Sequence, residues 1–198
     1  MKRNYLIWKG LVLKMNKTMK EMIKILLYLL GVLCLTYFVI TFIGQRTRVE
    51  GASMEPTLYH GDNLIVDKMT YHFQDPQRFE IIVFPFQYEK NKFYIKRIIG
   101  LPGETVQIDS QGNIYINGEI LEESYGKEVI RQGNIGIAGE PITLGENEYF
   151  VMGDNRNNSS DSRLEIVGNI KRENIVGRVV LRIWPFSRFG VLDDQAQE

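Results

Sequence analysis

Ser53 stands in the stretch Gly51-Ala52-Ser53-Met54-Glu55-Pro56-Thr57-Leu58, where small residues leave the backbone around it open and a proline fixes the chain just beyond. A serine hydroxyl is a weak nucleophile until a neighbouring base takes its proton, so a catalytic reading must name that base. Lys96, in Phe93-Tyr94-Ile95-Lys96-Arg97-Ile98-Ile99, is the candidate. Along an extended segment side chains alternate, which puts Tyr94, Lys96 and Ile98 on one face and Phe93, Ile95, Arg97 and Ile99 on the other. An amine buried between an aromatic and an isoleucine loses the hydration of its charged form; its pKa falls, and it can act as a general base near neutral pH. Taken singly, each residue also has a plainer use. Ser53 would be a turn serine bonded to nearby backbone, and Lys96 an edge-strand lysine whose stem covers apolar surface while its head reaches water.

A third polar stretch, Gly153-Asp154-Asn155-Arg156-Asn157-Asn158-Ser159-Ser160-Asp161-Ser162-Arg163, follows the apolar run Tyr149-Phe150-Val151-Met152 and holds no apolar side chain. Asp154 with Arg156, and Asp161 with Arg163, are spaced so that two bidentate ion pairs would tie the loop down. A rigid loop at a strand end is a place where a site can be held.

The elements that must position these residues fall into two kinds. Residues 1–24 are a basic N-terminal segment. Residues 25–45 carry no charge, and the run from Ile25 to Ile43 is apolar on every face. As a helix that run is about 30 Å long, the thickness of a bilayer's hydrocarbon core, so the expectation is a single transmembrane anchor. Seven Lys/Arg precede it and two follow immediately, which predicts a cytoplasmic N-terminus and an extracytoplasmic remainder in the cell membrane. The formal net charge of zero hides this split: residues 1–48 carry +8 and the rest −8, which excludes a nucleic-acid surface on the main domain.

Residues 46–192 change to short segments bounded by Gly, Pro, Asn and Asp. Strands are expected at 63–67, 81–84, 93–99, 105–108, 114–116, 119–121, 149–152 and 175–183, with Asn117-Gly118 as a two-residue hairpin turn. The domain reads as mainly β and antiparallel, either barrel-like or built of packed sheets. Residues 122–146 read as a surface excursion and 193–198 as a polar tail. Cys34, the single cysteine, lies in the apolar segment, so no intrachain disulfide forms. His60 and His72 make no metal-ligand set with it, and no cofactor-binding loop is present; neither metal nor cofactor is expected.

Together, Ser-Met-x-Pro-Thr-Leu, Lys-Arg-x-x-Gly-x-Pro-Gly and Gly-Asp-Asn-Arg-x-Asn-Ser-x-Asp-Ser-Arg, in this order behind an apolar segment, resemble the type I signal peptidases of bacteria, in the compact form common in Gram-positive species. Gly61-Asp62-Asn63-Leu64-Ile65-Val66-Asp67-Lys68 resembles a further box of that family. The resemblance implies a β-rich serine protease that releases signal peptides from exported preproteins, cutting after small residues of the Ala-x-Ala kind. It implies Ser53 as nucleophile, Lys96 as general base, Ser159 as a hydroxyl orienting the lysine, and Met54 packed beside the nucleophile. Asp161 with Arg163 would be a structural ion pair near the site, with Asp154 and Arg156 as further supports. The implied partners are the preproteins, the lipid bilayer and the secretion translocon. Two positions depart from the pattern: Gly51, where some members carry a hydroxyl that serves as an oxyanion donor, and Glu104, where Asp is usual. The rival readings are a self-cleaving repressor, which the apolar span speaks against, and an anchored β-domain kept for binding alone.

Overall fold

The computed structural model describes residues 17–38 and 44–192. They belong to two compact units that divide between Phe42 and Ile43. The first contains helix α1 (Lys17–Phe38). From Ile25 to Phe38 it carries no charge, about 21 Å of helix at the usual rise. Among the described residues no helix is long and apolar enough to cross a membrane. Residues 39–43 of the expected span lie outside the described residues, as do residues 1–16 of the basic segment and the tail 193–198. Lys17, Lys20 and Lys24 form the first turns of α1, where the basic segment was expected to run to residue 24. Gly44 and Gln45, read as the end of the apolar span, instead open the first strand of the second unit.

That unit is antiparallel throughout its described pairings. One sheet contains β1 (Gly44–Arg48), β2 (Asn63–Asp67), β3 (Ile81–Pro85), β4 (Phe93–Gly100), β9 (Glu148–Met152), β10 (Ile170–Lys171), β11 (Gly177–Trp184) and β12 (Gly190–Val191). Its order is β1-β2-β11-β3-β4-β9-β10, with β12 added beside β11. The second contains β5 (Thr105–Ile108), β6 (Ile114–Ile116), β7 (Glu119–Ile120) and β8 (Ile142–Thr143), in the order β7-β6-β5-β8. Asn117 and Gly118 both take positive φ, 53° and 86°, as the turn between β6 and β7 requires.

All eight expected strands are present, with ends shifted by two residues at most. Four others were not legible. β1 is Gly-Gln-Arg-Thr-Arg, a polar run without alternation, and is a strand because it finds β2 in register from Gly44↔Asp67 to Arg48↔Asn63. β8, β10 and β12 are two residues each, too short to carry a period. Residues 122–146 differ from expectation: they hold β8 and the 3-10 turns Gln132–Asn134 and Gly136–Gly139, and they send Ile130, Ile135, Ala138 and Leu144 into the apolar core under the second sheet. β4 reaches that core through Gly100, where a β-carbon would stand 2.5 Å from a methyl of Val106.

Two further apolar clusters fill the large sheet. Val49, Met54, Leu58, Leu64, Val66, Ile81 and Val83 make one, against which Ile95 packs. Ile82, Phe84, Ile98, Tyr149 and Val151 belong to the other, with Tyr94 packed on it. Ile95 and Tyr94 thus serve opposite faces of β4, as alternation requires.

Candidate active site

β3 and β9 hold β4 on both sides, with Ile82 opposite Lys96 and Met152 opposite Arg97. The loop 50–58 runs from β1 towards β2 and is anchored by Met54 and Leu58, 2% and 0% exposed. With the backbone so fixed, Lys96 Nζ lies 2.9 Å from Ser53 Oγ and 3.0 Å from the carbonyl oxygen of Ile95. The Tyr94 ring centroid is 5.0 Å from the same nitrogen. Lys96 is only 4% exposed. Burial lowers its pKa to about 8; the carboxylates of Asp161 and Asp154 work against that shift, and the Arg163 guanidinium works with it. As an ammonium Lys96 donates to Ser53. As a neutral amine it keeps an N–H for the Ile95 carbonyl and can turn its lone pair to the serine hydroxyl.

The pair opens onto a cleft of about 890 Å³, walled by residues 47–54 and 89–96 and floored by Asn157, Asn158, Ser159 and Ser160. A hydroxyl, a buried amine and room for an extended peptide are what acyl transfer by a serine with a lysine base needs.

The loop 153–163 ties both partners down. The Asn155 N–H donates to the Ser53 carbonyl, and its side-chain amide donates to the Ala52 carbonyl, each at 3.0 Å. Asp161 and Arg163 form the expected bidentate pair, both bonds 2.8 Å. Burial alone would raise the Asp161 carboxyl; hydrogen bonds and charge from Arg163, with the Gly153 N–H, outweigh it and hold the pKa low. Asp154 and Arg156 do not pair with each other. Arg97 takes Asp154 through bonds of 2.9 and 2.7 Å, and Thr57 donates to the same carboxylate at 2.6 Å. Arg156 turns to the Gly153 carbonyl and, bidentately, to Glu123. Residues two apart in a loop need not face each other, and each charge found a partner on another segment.

Ser159 lies on the cleft floor, yet its buried hydroxyl has no hydrogen-bond partner among the described residues by distance and angle. It is near enough to Asp161 to help hold that carboxyl low. The Ile95 carbonyl, rather than Ser159, is the second group on the lysine nitrogen. Gly153 decides how closely these pieces meet: a β-carbon there would stand 2.3 Å from Ser159 Oγ and 2.4 Å from the Ser53 carbonyl oxygen. Met54, next to Ser53 in the chain, is buried. At Gly51 φ is +88°, and its N–H donates to His60 Nδ1 at 3.2 Å. Glu104 accepts from the Leu101 N–H and pairs with Arg78, so its longer side chain still finds partners.

Arg97, Thr57, Asn155, Gly153 and Glu123 were not singled out from the sequence. Arg97 and Asn155 had a signal, since a charged residue beside the base and an amide in an apolar-free loop both ask for buried partners. Thr57 and Gly153 stood in the motifs that carry the resemblance, and Glu123 had no signal.

The fold and site define an antiparallel β protein in which a serine is hydrogen-bonded to a buried lysine at the edge of an open cleft. The family model described as "Signal peptidase, peptidase S26" matches residues 19–184, and the chain belongs to that family. It is 42% identical over 164 residues to a "Probable signal peptidase I-2" of Synechocystis sp., covering 79% of this chain and 71% of that one. It is 43% identical over 159 residues to a signal peptidase I of Leptolyngbya laminosa, covering 77% and 74%. A signal peptidase I P of Bacillus subtilis subsp. natto is 37% identical over 161 residues, with 79% and 85% covered.

Proposed function

We propose that this chain is a membrane-anchored serine endopeptidase that removes signal peptides from exported preproteins. The observation that carries the reading is the 2.9 Å approach of Lys96 Nζ to Ser53 Oγ, with the amine buried at the edge of an open cleft. Neutral Lys96 takes the hydroxyl proton as Ser53 Oγ attacks the scissile carbonyl. The resulting ammonium gives that proton to the leaving amine, and an acyl-enzyme remains. Lys96 then takes a proton from water as that water attacks the ester, and gives it to Ser53 Oγ as the acyl–oxygen bond breaks, which frees the signal peptide and restores the dyad. The Ser53 N–H would serve as an oxyanion donor, and Gly51 has no side chain to add a second. Ser159 supports the dyad from the cleft floor. Asp154, Arg156, Asp161 and Arg163 hold the backbone on which it stands.

Anchoring is supported by α1 and by the uncharged sequence that continues to Gln45. The run from Ile25 onward, apolar on every face, suits lipid, and the excess of basic residues before it supports an N-terminus in the cytoplasm and a β unit outside. A substrate whose own apolar segment shares the bilayer then meets the site at high effective concentration. The secretion translocon would deliver such substrates. Small side chains before the cut fit shallow apolar subsites that larger ones cannot enter.

The test is cleavage of a preprotein with an Ala-x-Ala site by the detergent-solubilised full chain, beside Lys96→Met. Cutting at that boundary by the parent alone supports both reaction and base. A folded parent that leaves the preprotein intact overturns the function, and equal cleavage by both proteins overturns the role of Lys96.

A further inference from the structure

Residues 123–127, Glu-Ser-Tyr-Gly-Lys, carry no regular structure, yet every second side chain of this segment is tied to the loops and strand that hold Ser53 and Lys96. Glu123 pairs with Arg156. The Tyr125 ring lies 3.6 Å from the guanidinium carbon of Arg97, with Phe79 against it at 5.3 Å. Lys127 donates its N–H to the Asp154 carbonyl at 2.8 Å and its ammonium to Glu55, two residues beyond Ser53, at 2.9 Å.

We infer that this segment is a strap that positions the dyad, with Tyr125 as its centre: by covering the Arg97 guanidinium it keeps the Arg97–Asp154 pair closed, and that pair sets the geometry of Ser53 and Lys96. The inference rests on the peptidase reading above. Its logic is electrostatic as well as steric. Arg97 uses one edge for Asp154 and its other terminal nitrogen for the Phe79 carbonyl, so its faces are the parts that packing must keep from water, and the side chain is fully buried. A ring on one face excludes water there, strengthening the pair. A loosened pair would do two things. Asn155, next in sequence to Asp154, would lose its hold on the Ala52 and Ser53 carbonyls. Asp154 would also present more uncompensated charge to Lys96. Burial is the main reason the amine is readily neutral, and the carboxylates of Asp161, held by Arg163, and Asp154, held by Arg97, work against it.

The strap is therefore a positioning device, and its test needs readouts that loss of fold alone would not move. The full chain in detergent is assayed on an Ala-x-Ala preprotein across pH, as parent, Tyr125→Ala, Tyr125→Phe and Glu123→Gln. In Tyr125→Ala kcat is expected to fall about tenfold or more with KM little changed. The acid limb of its pH profile should move up by about half a unit or more. Tyr125→Phe keeps the ring and should restore both. If Tyr125→Ala does not fold, Glu123→Gln, on the outer side of the strap, should show the same kcat loss in smaller measure. A folded Tyr125→Ala with the parent's kcat and acid limb overturns the inference, as does a Glu123→Gln indistinguishable from the parent where Tyr125→Ala is unfolded. Either leaves the peptidase reading standing, because the parent still cuts. A parent that does not cut overturns that reading and the strap with it.

Discussion

The β unit is held together by opposite means at its two ends. Under the small sheet the interior is Ile99, Val106, Ile108, Ile114, Ile116, Ile130, Leu144, Phe150 and their neighbours, and none of the buried charged residues lies on β5 to β8. Around Ser53 the interior holds Lys96, Arg97, Asp154, Arg156, Asp161 and Arg163, none more than 4% exposed. An apolar core is non-directional, so it stabilises many arrangements of similar volume. A buried charge is tolerable only where its partner stands, so each pair at the site specifies one loop geometry and is costly to break. The small sheet supplies stability, and the charged layer spends part of it to keep a hydroxyl and an amine aligned.

The contrast can be broken most severely at the reacting pair. Ser53→Ala and Lys96→Met should each lower preprotein cleavage by at least about a thousandfold, while near-ultraviolet circular dichroism stays that of the parent. Next comes the charged layer. Asp154→Asn leaves the fully buried Arg97 without its counter-charge and should cost roughly 3–5 kcal/mol of unfolding free energy, read from the denaturant midpoint. An exposed-pair control, Glu89→Gln against Lys92, should change the midpoint by less than its error.

The lysine adds a signature in pH. Its pKa is about 8 in the folded protein against 10.5 for the free side chain, so between those values the unfolded chain holds more protons and stability rises with pH. Below pH 8 both states are protonated, and the buried ammonium is a standing cost. The parent should therefore gain on Lys96→Met across that window, by roughly 2–3 kcal/mol in unfolding free energy. Cleavage should rise with pH along a limb centred near 8. A stability difference that stays constant with pH would remove the charged, buried lysine from the account.

Smaller effects sharpen the same contrast. Gly153→Ala must displace Ser159 or the Ser53 carbonyl and should reduce cleavage on the order of a hundredfold, with less loss of stability than Asp154→Asn. Ile108→Val, in the apolar core, should cost about 0.5–1.5 kcal/mol and leave the cleavage rate unchanged. A large rate loss from Ile108→Val would mean that the two ends are not separable in function.

Local chemistry made most of this legible. The strands from Asn63 to Val66, Phe93 to Ile99 and Tyr149 to Met152 were readable because period and β-branched content act on a few residues at a time. Ser53 and Lys96 could be singled out because a hydroxyl and an amine able to act as nucleophile and base are recognised by type, and the family resemblance joined them; the structure brings them to 2.9 Å. Asp161 with Arg163 was readable because two residues apart they do close the pair. Pairing between distant segments was not readable: that Asp154 belongs to Arg97 and Thr57, Arg156 to Glu123, Asn155 to Ala52 and Ser53, and that a polar run at Gly44 is a strand. The sequence alone determined which residues could do chemistry and which stretches would be strands. Only the tertiary structure decided which charge meets which, because a buried ion is placed by where the whole chain can put its counter-charge, and that is a property of no single segment.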